Sequence, residues 1–134
     1  MPNHWLLKTE PSTYSWSDLE REKTAVWDGV SNPVALRNLG AMKPGDDALI
    51  YHTGDEKAVV GRAQVTKAAY PDPKAKDPKL LVVEIKAVGR VSRPVTLQEI
   101  KADPAFRDSP LVRQGRLSVV PLNEEQYRRL DQGP

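Results

Sequence analysis

The stretch "DALIYHTGDEKAVVGRAQVTKAAY", residues 47–70, carries the clearest pattern of secondary structure in this chain. Two apolar runs, "DALIYHTG" and "AVVGRAQVTKAAY", flank the short polar segment "TGDEK", and this pattern is typical of a β-hairpin. Gly61 interrupts the second run and predicts a bulge at that point. A third apolar run, "LLVVEIKAVGRV" at 80–91, follows a loop rich in proline and charge, so a further hairpin is expected to continue the sheet.

Shorter apolar runs, "HWLLKTE" and "LSVVPL", predict a first and a last strand. Residues that cap helix N-termini predict helices after Ser15, Asn32, Thr96 and Asn123. The segment "VWDGVS", which contains Trp27, is predicted to be a loop. Long strands joined by hairpins, with helices inserted after the first strand, predict an α+β fold. We expect a mixed or antiparallel sheet curled into a small barrel, with helices flanking it.

Length and composition favour one domain spanning residues 1–134. The chain has no cysteine, which excludes disulfides, thiolate metal sites and cysteine nucleophiles and fits a reducing cytoplasm. No apolar run approaches the length of a membrane span, and the N-terminus lacks the pattern of a secretory signal. We therefore expect a cytoplasmic protein, a monomer, with no membrane partner.

The charges are nearly balanced, with 20 basic and 18 acidic residues and a net charge of +2. This balance argues against a protein that coats polyanions through bulk charge. The basic excess lies in the second half of the chain. It fits either a solvated mixed surface or a modest face that contacts phosphates, and both interpretations stay open.

Sequence motifs of the common enzyme classes are missing. The segment "GAMKPG" has the spacing of a phosphate loop, but Asp46 and Asp47 follow where a lysine and a hydroxyl residue are needed. His4 and His52 belong to no zinc pattern, and no nucleophile elbow is present. We predict no catalytic residue, no metal and no cofactor. An enzyme that uses His52 as a base near Asp28 remains an alternative.

Three clusters place polar and aromatic residues where a fold alone would not require them: residues 8–10, residues 27–32 and residues 51–53. In a small barrel, these strand ends and this loop could meet at one rim. A tryptophan face surrounded by donors and acceptors suits a flat ring with polar edges, and a nucleobase is such a ring. Trp27 could instead be a hydrophobic plug, and His52 could be a hydrogen-bonded structural histidine. Trp5 and Trp16 are expected to pack in the core.

Several motifs, in the same order, cover nearly the whole chain: "WLLKTEP", "VWDGVSNPVALRNL", "MKPGD", "ALIYHTGDEKAVVGRAQV", "AAYPDP" and "RLSVVPL". In this combination the chain resembles the EVE domain family of the PUA-like superfamily. The resemblance implies a PUA-like pseudo-barrel with flanking helices. It also implies similarity to YTH domains, which read methylated adenine in RNA through an aromatic cage. EVE domains are accordingly thought to hold a modified base, with modified cytosine in DNA the favoured candidate.

The resemblance assigns a set of residues to a base-binding pocket: Lys8, Thr9, Trp27, Asp28, Gly29, Asn32, Tyr51, His52 and Tyr70. Trp27 would be the stacking wall, and Lys8 and Thr9 would donate to the base or its phosphate. The loop residues Asp28, Gly29 and Asn32 would shape the pocket.

On the opposite side of the implied pocket, Tyr51 and His52 would form the lining, and Tyr70 would close the mouth. One departure concerns the segment after Val30, where many family members read R-N-Y-Q-A-R. An arginine, a tyrosine and a glutamine are replaced here by Ser31, Pro33 and Val34. This change removes a cation and an amide near the implied pocket, so it leaves the ligand preference open.

Taken together, the sequence favours a nonenzymatic nucleic-acid-binding module. It would accept one modified base, modified cytosine in DNA above others, flipped out of a strand and stacked on Trp27. Lys8, Thr9, Asp28 and His52 would read the base edge. The alternatives are an RNA-binding module that uses the same pocket, and a protein that binds a nucleotide or another small molecule with weak enzymatic activity.

Overall fold

In the computed structural model, which describes residues 3–132, six strands form one mixed sheet. The strands are β1 (His4–Thr9), β2 (Thr24–Trp27), β3 (Asp47–His52), β4 (Ala58–Pro71), β5 (Leu81–Thr96) and β6 (Val119–Leu122). Their order is β2-β5-β4-β3-β1-β6, and every neighbouring pair is antiparallel except β1 and β3. The sheet is not closed, which is the arrangement of a pseudo-barrel. The predicted α+β class is confirmed.

Five α-helices accompany the sheet within residues 3–132: α1 (Trp16–Glu22), α2 (Pro33–Ala41), α3 (Leu97–Ala102), α4 (Pro110–Arg113) and α5 (Glu124–Gln132). The predicted caps are confirmed, since the side chains of Ser15, Asn32 and Thr96 each accept a backbone N–H of the first turn. Asn123 likewise accepts the backbone N–H of Gln126 at 2.8 Å. None of the helices described in this range is long and apolar enough to cross a lipid bilayer.

The prediction of a loop over "VWDGVS" is wrong for its first two residues. Val26 and Trp27 belong to β2, which pairs antiparallel with β5 so that Trp27 lies opposite Val83. Only four residues form this strand, too few for a clear alternating pattern in the sequence. The long strand β5 supplies the edge on which they pair. Gly29, with a φ of 79°, lies in the loop that follows.

The bulge predicted at Gly61 is confirmed, because the pairing of β4 with β5 shifts register between Val59 and Gly61. The structure adds a second reason for glycine at this position. The indole of Trp16 lies directly on Gly61, and a Cβ built on Gly61 would come within 2.3 Å of the Trp16 Cε3 atom. Trp16 is buried, as expected, and this contact seats α1 on the sheet.

The parallel pair β1 and β3 brings together two of the polar clusters. In its register Lys8 lies opposite Tyr51 and Thr9 lies opposite His52, at the C-terminal ends of both strands. At the other end of the pair, the buried carboxylate of Asp46 accepts the Trp5 indole N–H at 2.9 Å. The prediction that these strand ends are neighbours is therefore confirmed.

The contact between Trp16 and Gly61 predicts that a methyl group added at position 61 destabilises the fold. Gly61→Ala should lower the free energy of unfolding by about 1–3 kcal/mol, because the aromatic ring has to move away from the backbone. Urea unfolding followed by circular dichroism measures this change. The control is Gly89→Ala on β5, where a Cβ would meet open space. Its effect should stay below about 1 kcal/mol, and equal losses in both variants would contradict the argument.

Candidate functional site

A cleft of about 790 Å³ opens between the end of β1 and the segment that runs from α1 through β2. Its lining consists of residues 8–10, 13–14, 22, 24–30 and 118. We call it the tryptophan cleft, after Trp27. Among the residues implied by the resemblance, the cleft brings together Lys8, Thr9, Trp27, Asp28 and Gly29.

Two aromatic side chains form the wall of the tryptophan cleft. Trp27 is 7% exposed, so most of its ring packs in the core while the remainder faces the cleft. The ring of Tyr14 is nearly perpendicular to that of Trp27, with centroids 6.1 Å apart and an interplanar angle of 83°. Trp27 thus has both roles that the sequence left open, as a core residue and as part of the wall.

Tyr14 is a lining residue that the sequence analysis missed. Its backbone N–H donates to the Glu10 carbonyl at 2.9 Å, and its carbonyl accepts the Thr9 hydroxyl at 2.7 Å. Its own hydroxyl donates to a Glu22 carboxylate oxygen at 2.5 Å. Partial burial and the Glu22 carboxylate raise the pKa of the Tyr14 hydroxyl. The available signal was an aromatic residue in the polar segment "TEPSTYS", comparable to Trp27 in "WDGVS".

Two of the carboxylates that line the cleft are already hydrogen-bonded. Glu22 accepts the Tyr14 hydroxyl, as described above. Glu10 accepts the hydroxyl of Ser12 at 2.8 Å and that of Thr53 at 3.2 Å, and the bonds from Ser12 are the main cause that lowers the pKa of Glu10. These two side chains therefore fix the loop between β1 and α1 and the start of the β3–β4 turn.

Asp28 differs from the other two carboxylates of the cleft. It is exposed next to Trp27, and within residues 3–132 its side chain makes no hydrogen bond or ion pair to another described group. Lys8 is the one cation among the described lining residues, against three carboxylates. The cleft therefore favours a ligand edge that donates hydrogen bonds over an anionic group.

Lys8 stands at the boundary of the cleft. Its Nζ donates to the Gly115 carbonyl at 2.8 Å and lies 5.4 Å from the centroid of the Tyr51 ring. Burial lowers the pKa of the Lys8 ammonium. Lys8 also lines a second, smaller pocket together with Tyr51, so Tyr51 faces that pocket and is absent from the lining of the tryptophan cleft.

His52 is buried beneath the site and is absent from the lining of the cleft. Its Nε2 accepts the backbone N–H of Trp16 at 2.9 Å, and its Nδ1 lies 2.6 Å from a Glu56 carboxylate oxygen. This pair of contacts assigns the proton to Nδ1 and fixes the N-terminus of α1 to β3. The structure thus places His52 outside the lining of the cleft that contains Trp27 and Asp28, and the assignment of His52 to a base-binding pocket stays a prediction.

Asn32 and Tyr70 are likewise placed outside the cleft lining. Asn32 caps α2, and its Oδ1 accepts the Val34 N–H at 2.9 Å. Tyr70 lies on β4, on the other side of β5 from Trp27, and its hydroxyl donates to Glu84 at 2.7 Å. Sequence order could not show this, because the pairing of β5 between β2 and β4 decides which residues face the cleft.

The model of the EVE domain family matches residues 3–132 of the chain. A sequence relative, thymocyte nuclear protein 1 from Mus musculus, is 32% identical over 161 residues, which cover 95% of this chain and 71% of the relative.

Two solved structures extend this similarity to the fold. A protein from Rhodopseudomonas palustris superposes with a TM-score of 0.89 at 38% identity, covering 96% of this chain and 90% of that one. The human THYN1 protein, solved in complex with DNA that contains 5-methylcytosine, superposes with a TM-score of 0.85 at 30% identity and covers 93% of both chains.

The position of His52 predicts a loss of stability when its side chain is removed. His52→Ala leaves the buried Trp16 N–H without a partner, so the free energy of unfolding should fall by about 1–3 kcal/mol in urea unfolding. Glu56→Gln serves as the control, because it keeps an oxygen that can accept the Nδ1 proton at a partly exposed position. Unchanged stability of His52→Ala would contradict the structural role.

The raised pKa of the Tyr14 hydroxyl predicts that this group ionises at a higher pH than an ordinary tyrosine. Because its pKa is raised in the folded protein, its contribution to stability is present below the ordinary tyrosine pKa and is lost as the pH rises through the raised value. Ultraviolet difference absorbance of Tyr14→Phe should lose one late-titrating tyrosine relative to the unsubstituted protein. Loss of a tyrosine that titrates at the ordinary pH would contradict the bond to Glu22.

Proposed function

The chain belongs to the EVE domain family, and we propose that it is a nonenzymatic nucleic-acid-binding module that holds a modified cytosine of DNA in the tryptophan cleft. The observation that carries this proposal is the juxtaposition of the aromatic wall of Trp27 and Tyr14 with the exposed carboxylate of Asp28. A flat ring bearing an amino group fits this combination of surfaces.

The size and the aromatic wall of the cleft suit a single base. A volume of about 790 Å³ accommodates a base with room for its sugar and for water. Stacking of a base on an aromatic side chain contributes about 1–3 kcal/mol. Trp27 offers part of its ring and Tyr14 adds a second aromatic surface, so the wall would supply affinity without selecting among bases.

Selection among bases would come from the carboxylates that line the cleft. The exocyclic amine of cytosine donates hydrogen bonds, and a carboxylate is a suitable acceptor for it. Among the three carboxylates of the described lining, Asp28 is the one whose oxygens accept no described hydrogen bond, whereas Glu10 and Glu22 already accept bonds from neighbouring hydroxyls. Ala25 and Val30 add apolar surface to the lining, which suits a methyl group on the base.

The positions at which this chain departs from the family pattern lie outside the described lining of the cleft. Ser31, Pro33 and Val34 are absent from its lining, which ends at Val30 in this part of the chain. Pro33 and Val34 instead begin α2. The human relative bound to DNA with 5-methylcytosine, 30% identical to this chain, also favours modified cytosine as the ligand.

The cleft admits a base only when the base has left its stack. Unstacking costs a few kcal/mol, least for a single strand. With one cation in the lining, we expect modest affinity, tighter for a single strand than for a duplex, and a shallow dependence on salt.

The test is a tryptophan-fluorescence titration with short single strands that are identical except for one cytosine or 5-methylcytosine, in DNA and in RNA. The 5-methylcytosine DNA should bind more tightly, and Trp27→Phe should abolish most of the quenching, because Trp5 and Trp16 are buried away from the cleft. Equal binding of all strands would overturn the proposal. Preference for the RNA strand would favour the RNA-binding alternative through its 2′-hydroxyls.

Asp28→Ala tests how the base edge is read. Loss of a hydrogen bond to a charged group should weaken binding of the 5-methylcytosine strand by about 1.5–3 kcal/mol. Asp77→Ala is the matched control, since Asp77 is also exposed and lies outside the cleft, in the loop between β4 and β5. Equal effects of both substitutions would indicate a general change in charge and would contradict the role of Asp28.

A further inference from the structure

A second pocket adjoins the tryptophan cleft on the other side of Lys8. It has a volume of about 190 Å³, and we call it the lysine pocket, after three of its lining residues: Lys8, Lys57 and Lys101. Thr53, Gly54 and Gly115 contribute polar or backbone surface to it, and its remaining lining residues are Tyr51, Leu97, Leu111 and Val112. The described lining contains no carboxylate.

These three lysines have no carboxylate of the described chain within ion-pair distance. Within residues 3–132, none of them forms an ion pair. Lys67 and several arginines, by contrast, form ion pairs with carboxylates at 2.7–3.9 Å. Acidic side chains do lie nearby, since Asp55 and Glu56 line an adjacent groove with Lys57 and Lys101. The Glu56 carboxylate contacts His52 Nδ1, at the C-terminal end of β3.

The pocket is held in place by the fold. Lys8 is half-buried and fixed by the Gly115 carbonyl, and burial lowers its pKa because the charged form loses hydration. Lys57 has a φ of 47°, a conformation uncommon for residues other than glycine. Its carbonyl accepts the Leu97 N–H at 2.8 Å, which ties the β3–β4 turn to the start of α3. An anion in the pocket would meet three lysines and no carboxylate in the described lining.

From this arrangement we infer that the lysine pocket binds a phosphate group, that of the nucleotide whose base occupies the tryptophan cleft or of its neighbour. The inference rests on the proposed function. Lys8 separates the two cavities, so the base would face three carboxylates on one side of it and the phosphate would face three lysines on the other. Phosphate contacts position a strand, whereas contacts to the base edge select the base.

The test compares the salt dependence of strand binding in the unsubstituted protein and in the double variant Lys57→Gln with Lys101→Gln. Both side chains are exposed, so the fold should be retained. The slope of log Kd against log salt should become shallower by about 0.7, the value for one phosphate of a single strand. The ratio of the affinities for 5-methylcytosine and cytosine strands should not change. Lys74→Gln with Lys76→Gln, in the loop between β4 and β5, removes the same charge elsewhere and should leave the slope near that of the unsubstituted protein.

The outcomes separate this inference from the proposed function. If the unsubstituted protein distinguishes the two strands but the Lys57 and Lys101 variant keeps the same slope, or the control pair loses as much, the lysine pocket is overturned and the proposed function stands. If no strand binds, the proposed function fails. A titration with inorganic phosphate, followed by NMR, then tests whether the lysine pocket binds phosphate. Shifts of the Thr53, Gly54 and Gly115 amide signals that vanish in the double variant would support a site for free phosphate, and their absence would overturn it.

Discussion

The contact of Trp16 with Gly61 constrains the position of α1 and of the segments on either side of it, which line the tryptophan cleft. The indole occupies the space that a side chain at position 61 would take, and His52 accepts the backbone N–H of the same tryptophan. These two contacts fix the N-terminus of α1 on β3 and β4. Tyr14, just before α1, and Glu22, at its end, are then held at the distance that their hydrogen bond requires. The segment leaving α1 pairs with β5 as β2 and brings Trp27 to the wall.

The distribution of charge matters more for this site than the net charge of +2. The basic excess of the second half of the chain includes several arginines. Four of them form ion pairs with carboxylates near the surface: Arg90, Arg93, Arg113 and Arg129. Exposed pairs of this kind contribute little to stability, but they remove positive charge from the surface that a polyanion would meet. Two lysines that form no ion pair within residues 3–132, Lys57 and Lys101, instead line a pocket together with Lys8, next to a cleft whose described lining contains three carboxylates.

Much of the fold could be predicted because its signals are local. Caps at Ser15, Asn32 and Thr96 depend on hydrogen bonds within three residues, and the β3–β4 hairpin follows from two apolar runs around a short polar turn. The bulge at Gly61 was predicted for a local reason, although the close approach of Trp16 became evident only from the structure. The strand β2 was missed because four residues carry too short a pattern, and its pairing with β5 supplies what the pattern lacks.

The fold class could be predicted from the sequence, and the resemblance named Lys8, Thr9, Trp27, Asp28 and Gly29, which meet in one cleft. The roles of two other residues became evident from tertiary contacts: Tyr14 completes the aromatic wall, and His52 supports α1. The same contacts place Tyr51, Asn32 and Tyr70 outside the lining of the cleft. The reason is physical: a residue type and its neighbours fix which bonds a side chain can make. The partners that a side chain finds depend on how strands and helices pack together. Such packing brings together residues that are distant in sequence, such as Trp16 and His52, which are 36 positions apart.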